Sequence, residues 1–495
     1  MAGTMIIVTE RGAVGDGKTL NTAVLQAAID ELAARGGGTV TVPPGVYLIG
    51  TIELRSNITL DLQPGATLLG SGNLADYRAC TASDGDRTGW HLVYAHGAKN
   101  IKICGGGTID GNGPAFWEPT VPGPHDDGTA LTRVVAREKD PLKSPLTWIL
   151  ADNAKRPSPM LELADCTDVR IENVTITNSA GWVVHLDECR RVFITGVSLL
   201  ANLLGPNNDG FDIMSCSDVM ISNCYVSCCD DAVCLKTRKT DRPCERVTVT
   251  NCVLRTRCAA LKLGHGESFG DFRQIAFSNC VVTESHRVVA IYSTEGAIVD
   301  GVAVSNIVCD TKLPVAATTP IHIDLRQRTP TSKIGAIRNV SISNVICKTD
   351  GRIMLTAQPG TMLENIMLRD IQLSYPAIEE PTQHRHRRGG QTSKATPDAM
   401  GAAAAIVVQN VKNLTIENVN ITWPMAQDPA WLVPYKIANG EKELVPGSVL
   451  YPATVPPMAI LWARNVRGGH FRGAPARGLN AARFDVDDCD WRIIE

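Results

Sequence analysis

Three carboxylates stand out by their spacing. Asp209, Asp230 and Asp231 lie in the stretch NNDGFDIMSCSDVMISNCYVSCCDDAVCLK, residues 207–236. Asp230 follows Asp209 by 21 residues, close to one coil of a solenoid of stacked short strands, which takes roughly 20 to 30. Strands of neighbouring coils stand about 4.8 Å apart, so the spacing predicts Asp209 beside the Asp230–Asp231 pair on one outer face. Clustered carboxylates push their pKa values apart, which lets one stay protonated as an acid next to an ionised base. An Asp-rich turn that only solvates a coil corner is the competing reading of any single one. Three together favour acid–base chemistry.

Composition bounds what surrounds them. A chain of 495 residues exceeds the usual single core, but a solenoid escapes that limit because each coil contacts only its neighbours. A formal net charge of −3 argues against nucleic acid or an anionic membrane as partner. The opening MAGTMIIVTERGAVGDG lacks the basic segment and long apolar run of a signal peptide, and no stretch reaches the roughly 20 apolar residues of a membrane span. Most of the sixteen cysteines lie in apolar periodic runs, where a free thiol acts as a small hydrophobe. No CxxC pair occurs, and Cys224, Cys228, Cys229 and Cys234 have no histidine at zinc-site spacing. The expectation is a cytoplasmic protein with reduced core thiols.

The elements that must position the carboxylates are short strands. A first strand, Met5 to Thr9, precedes a helix in which Leu25, Ala28, Ile29 and Leu32 share one face. Asn21 or Thr22 can cap it, and Gly36 to Gly38 end it. One amphipathic helix ahead of a long β region suits a cap over the open end of a solenoid core. Strands follow in GTVTVPPGVYLIG and IELRSNITLDLQPGATLLG. The glycine-rich turn Gly105 to Gly113 lacks the Lys-Ser/Thr of a phosphate-binding loop.

From about Leu161 a repeat becomes explicit: two short apolar pairs separated by a small or polar step, usually Asn. It recurs at Asn173, Asn223, Asn251, Asn279, Asn306, Asn344 and Asn418. An Asn at each bend can form a ladder, its amide bonding the backbone of the next coil. Cys224, Cys252 and Cys280 each follow such an Asn and are expected to face inward. Short strands and turns rather than helices predict an all-β chain, one right-handed parallel β-helix over residues 1–495. The N-terminal cap is about residues 1–40 and the catalytic coils about 160–300. Loops interrupt the repeat at about 116–159, with Trp117, His125, Asp126, Asp127 and Trp148, and at about 378–400, with the basic run QHRHRRGGQTSK. The pattern loosens over about 424–495, which still holds the strand-like MAILWARNV.

Over nearly its whole length the chain resembles glycoside hydrolase family 28, the polygalacturonases and their relatives. The opening AVGDGKTLNTAVLQAAID is similar to a signature of pectin-active β-helix proteins. RPSPMLELADC and NSAGWVVHLDEC resemble the stretches just before the family's catalytic coil. NNDGFDI and DDAVCLK resemble its Asn-Thr-Asp-Gly and Asp-Asp-Cys motifs at the expected interval. The resemblance implies Asp230 as general acid and Asp209 and Asp231 as the residues that activate water, with inversion of configuration. It implies an oligosaccharide substrate and no metal or organic cofactor; for a cytoplasmic glycosidase whose 116–159 insertion is long enough to close one end of a groove, the expectation is exo-action. Candidate sugar contacts are Asn207, Asn208, Trp182, Lys236, Lys262, His265, Arg287 and Tyr292.

Downstream the chain departs from the family. Its Gly-His-Gly element falls one short segment late, at Gly264 to Gly266, so Ala259 takes the usual histidine position. Ala290 and Tyr292 stand where a basic pair is expected, which predicts weakened selectivity for a free uronate. Lys236, Lys262, Arg287 and the 385–388 loop are the candidates to compensate. Two other classes remain: a β-helix polysaccharide lyase, with calcium and an unsaturated product, and a non-catalytic carbohydrate-binding solenoid.

Overall fold

The computed structural model describes residues 4–84, 86–120, 134–136, 146–150, 155–203, 205–311, 319–349, 351–375, 398–399, 402, 404–423, 459–473, 476–477 and 484–494. They fall in two compact units. The first takes residues 1–120, 148–235 and 242–254, and the second 121–147, 236–241 and 255–495. Each is built of parallel strands stacked coil upon coil, in the manner of a right-handed parallel β-helix.

In the first unit a coil has three short strands, not the two read from the repeat. Leu161–Ala164, Thr167–Glu172 and Thr175–Thr177 stack in register on Val184–Asp187, Arg190–Thr195 and Ser198–Leu200. These stack in turn on Phe211–Met214, Ser217–Ser222 and Tyr225–Cys228. Val169, Val192, Val219 and Val247 form one inward column, Ile171, Ile194, Ile221 and Val249 the next, and all are buried. Each strand is too short to bury its own apolar side, so the columns supply the stability. In the second unit the later strands of each coil merge into runs such as Ile298–Thr311 and Ala336–Thr349, paired along their length.

The cap forms as expected: the helix α1 (Thr22–Ala34) buries Leu25, Ala28, Ile29 and Leu32, and Gly36 follows in a left-handed conformation, φ 95°. Neither expected residue caps it by its side chain. The Asn21 carboxamide instead accepts from Val14 N (2.7 Å) and donates to the carbonyls of Val14 and Thr19. The Thr22 hydroxyl accepts from Gly50 N at 2.7 Å. Both tie the helix to the loops around it.

The seven expected bend asparagines all adopt left-handed backbone, φ 51° to 58°. Asn tolerates this conformation better than other side-chain-bearing residues. The ladder differs from expectation in its partner: amide bonds amide. Asn306 donates to Asn279 at 2.8 Å and Asn344 donates to Asn306 at 2.7 Å. The sequence reading missed a second ladder, Asn413 to Asn365 to Asn339 to Asp300, with bonds of 2.7–2.9 Å. Asn306→Ala should cost about 2 kcal/mol, from the left-handed backbone and two exposed amide bonds. Asn306→Gly, which removes only the bonds, should cost about half as much in urea unfolding. Equal losses in the two variants would show that backbone conformation plays no part.

All sixteen cysteines are free thiols and twelve are buried, Cys224, Cys252 and Cys280 among them. The sequence reading also missed a second set in the first unit. The thiols of Cys189, Cys216 and Cys244 point to the carbonyls of Leu163, Leu186 and Ile213, one coil back in each case. Burial pushes the Cys244 thiol up to about 12, so it stays protonated and unreactive. Where a loop was expected at 116–159, Glu118–Thr120 pairs antiparallel with the end of Leu146–Leu150. His125, Asp126, Asp127 and the basic run at 383–394 lie outside the described residues. The strand expected in MAILWARNV is present as Ala459–Arg472. Among the described residues, no helix is long and apolar enough to cross a membrane.

Candidate active site

The first unit carries the three carboxylates. Asp209 ends the loop before the strand Phe211–Met214, and Asp230 and Asp231 follow the strand Tyr225–Cys228. Gly210 N donates to Asp231 O at 2.8 Å, and Phe211 N to Ala232 O at 3.0 Å. These bonds set the register of the two coils, so that Asp209 lies beside Asp231, 22 residues on and one coil away. Asp209 and Asp231 are buried, 4% and 1% exposed, and Asp230 is half-buried. The Asp231 backbone N–H donates to Asp230 Oδ1 at 3.0 Å, and the Cys228 thiol donates to Asp230 O at 3.1 Å. Both bonds fix the turn that presents the Asp230 carboxyl.

The approach to Asp209 is held from behind. Asn208 is fully buried, and its Nδ2 donates to Ser179 O at 2.9 Å. It therefore anchors the loop, whereas the sequence reading gave it to the sugar. Asn207 before it is partly exposed in left-handed backbone, φ 49°. Arg156 is also fully buried, with Nη1 donating to the carbonyls of Ala180 and Pro206 at 3.0 Å each.

Trp182 lies one coil before Asp209, with Val183 N donating to Asp209 O at 3.0 Å. The expected sugar contact is instead almost wholly covered by protein. It is 6% exposed, with the Arg87 guanidinium 5.8 Å from its ring centre and His185 5.5 Å away centre to centre. Trp117 is half-buried, its Nε1 donating to Ala180 O at 2.9 Å. The side chain of Trp148 lies outside the described residues.

A buried ion pair, unforeseen from the sequence, underlies Trp182. Glu162 and His185 face each other in register on adjacent strands, with Oε2 2.6 Å from Nδ1. Asp212 is the next residue in the same column. Burial alone would raise the Glu162 carboxyl, but the charge and hydrogen bond of His185 outweigh it and hold the pKa low. Burial alone would likewise lower His185, and Glu162 overcomes it and raises the pKa. The pair is thus ionised, carboxylate against imidazolium. The only sequence signal for it was the similarity of its two stretches to the family.

The second unit carries the other expected contacts. Lys236 is buried, with Nζ 3.7 Å from Glu267 Oε2. Lys262 is half-buried on the strand Ala259–Ser268, in register with Ala290 on Arg287–Ser293. His265 is exposed in a left-handed bend, φ 69°, between Gly264 and Gly266. Glycine is required at 264, where a Cβ would stand 2.1 Å from Tyr292 O. Crowding of its ring and the charges of Lys262, Arg326, Arg287 and Arg328 lower the His265 pKa. Its ring is therefore neutral at pH 7. Tyr292 is 6% exposed, its ring edge-on to His265 and His322 at 5.5 and 5.2 Å. Arg287 is buried and donates from Nη1 to His286 Nδ1 at 2.9 Å. His322, Asp324, Arg326 and Arg352 join this wall from later coils; sequence reading passed over all four.

Known proteins bear on both units. The profile of "Glycosyl hydrolases family 28" matches residues 34–387. The chain is 31% identical over 239 residues to a "Probable polygalacturonase" of Vitis vinifera, covering 46% of this chain and 43% of that protein. It is 31% identical over 256 residues to an "Exo-poly-alpha-D-galacturonosidase" of Dickeya chrysanthemi, covering 46% and 41%. Each match thus spans less than half the relative's length. Among solved structures, an exopolygalacturonase of Thermotoga maritima superposes with a TM-score of 0.64 at 22% identity, over 84% of this chain and 91% of that one. One of Yersinia enterocolitica gives 0.64 at 21%, over 86% and 76%. These two carry the same fold. With the profile match extending over most of its length, the chain belongs to glycosyl hydrolases family 28.

Proposed function

We propose that the protein is a glycosidase that releases terminal residues from pectin-type galacturonide oligosaccharides, with inversion of configuration. The observation that carries this reading is the register of Asp209 beside Asp231, with Asp230 next in the same turn. Family membership and relatives named as polygalacturonases and exo-galacturonosidases support the substrate and the bond.

In the mechanism, Asp230 donates a proton to the glycosidic oxygen as the bond to the sugar breaks. Asp209 and Asp231 hold a water on the opposite face of the ring and take its proton as it attacks the anomeric carbon. One displacement with a water between base and acid inverts the configuration. Asp230, the more exposed of the three, is the one a leaving oxygen can reach. Asp209 and Asp231 are fixed by backbone bonds on both coils, so the water they hold is positioned before substrate arrives. Sixteen thiols without a disulfide among the described residues fit a reducing compartment, where the substrate is a short oligosaccharide rather than cell-wall polymer.

The test is product analysis on a galacturonide oligomer of defined length. Monomer should appear first, as the opposite anomer of the linkage cleaved. Early products of mixed intermediate length would show endo-action, and an unsaturated product absorbing in the ultraviolet would make the protein a lyase.

A further inference from the structure

Arg287–Ser293 and Ile321–Leu325 are neighbouring strands of the second unit, with Ala290 opposite His322 and Tyr292 opposite Asp324. A small residue and an uncharged aromatic one thus occupy 290 and 292, and the charge near them comes from elsewhere. Arg287, Arg326 and Arg352 are all buried. Asp324 balances one of them, accepting from Arg326 Nε at 2.7 Å and from the Thr356 hydroxyl at 2.8 Å.

Two donors in this wall lack a partner. Arg287 Nε and His322 Nε2 are buried, and neither makes a hydrogen bond among the described residues. The state of His322 follows from its contacts. Burial and then the charges of Arg287, Arg326 and others hold its pKa well down, so the ring is neutral. Tyr292 Oη lies 3.1 Å from His322 Nδ1. Burial pushes the phenol up to about 12, so it keeps its proton; either atom of the contact can be the donor, and the arrangement proposed below has the phenol donating to Nδ1. With Nδ1 accepting, the ring hydrogen sits on Nε2, which makes that atom a donor. A buried guanidinium N–H and a buried imidazole N–H, on directly paired strands in a positive field, match an acceptor with two oxygens and a negative charge.

We propose that Arg287 and His322, the latter oriented by Tyr292, form a carboxylate-binding site that recognises the acid group of a uronic acid residue of the substrate. This rests on the proposed function and goes beyond it. It replaces the basic pair absent from 290 and 292, and it reverses the expectation of weakened uronate selectivity. His322 and Tyr292 are positioning and specificity residues; neither takes part in the bond cleavage.

Binding and turnover test it separately. Titration calorimetry with D-galacturonate, and D-galactose as the neutral analogue, should show tighter binding of the acid by the intact protein. Arg287→Gln and His322→Leu should each lower galacturonate affinity about 10- to 100-fold and leave the weak galactose binding as it was. Tyr292→Phe keeps the ring and loses the hydroxyl that sets the tautomer, so it should lower galacturonate affinity in the same direction even if His322→Leu fails to fold. On a galacturonide and its methyl ester, the acid-over-ester ratio of kcat/KM should fall by the same factor in each folded variant. A folded Arg287→Gln variant that keeps the parent's acid-over-neutral ratio overturns the proposal. Galacturonate binding that depends on Arg287, in a protein that hydrolyses no galacturonide, would uphold this site and overturn the proposed function instead.

Discussion

Asp230→Asn should lower turnover on a galacturonide oligomer by about 10² to 10⁴ and leave the protein folded. The substitution removes the proton the leaving oxygen needs. It keeps the Oδ1 acceptor that binds Asp231 N at 3.0 Å, so the turn survives. Asp209→Asn and Asp231→Asn should do comparable damage for another reason: an amide cannot take the proton of the attacking water. Their backbone carbonyls, which accept from Val183 N and Gly210 N, are untouched by either change. Single-turnover rates with matched far-UV circular dichroism decide the matter. Near-parental turnover in any two of the three variants would sink the assignment, and calcium-dependent activity that survives all three would favour the lyase reading.

The three carboxylates were legible because a solenoid turns sequence interval into spatial neighbourhood. The interval from Asp209 to Asp231 stays near one coil, and the register follows. The bend asparagines were legible for the same reason, and because few side chains tolerate their backbone. Other contacts were hidden by uneven coil lengths. Glu162 meets His185 across 23 residues, Tyr292 meets His322 across 30, and Asn306 meets Asn344 across 38. No fixed period predicts those pairings. Asn208 was assigned to the sugar as the neighbour of Asp209 and Trp182 as part of the stretch that resembles the one before the family's catalytic coil, but position in sequence leaves open which way a side chain turns. Here both turn into the protein.

Removing one partner of the Glu162–His185 pair should cost about 3–5 kcal/mol of stability. Both side chains are buried, 4% and 0% exposed, so His185 without Glu162 has no route to solvent. Glu162→Gln keeps the size and loses the charge. Double replacement by apolar residues of similar volume should recover much of the loss, because a buried pair owes little net stability to being charged. The pH dependence identifies the interaction. His185 is raised in the folded state, so its contribution is complete below the unfolded value of about 6.5 and is lost as pH rises through the folded value. Glu162 is depressed, so its contribution is complete above the unfolded value of about 4.3 and is lost as pH falls through the folded value. The gap between parent and Glu162→Gln should therefore be widest between about pH 4.3 and 6.5 and narrow on either side. Urea unfolding across pH 4 to 9 reads it. A gap that stays constant over that range, or one below about 1 kcal/mol at pH 5.5, would mean the two side chains are packed together without being ionised.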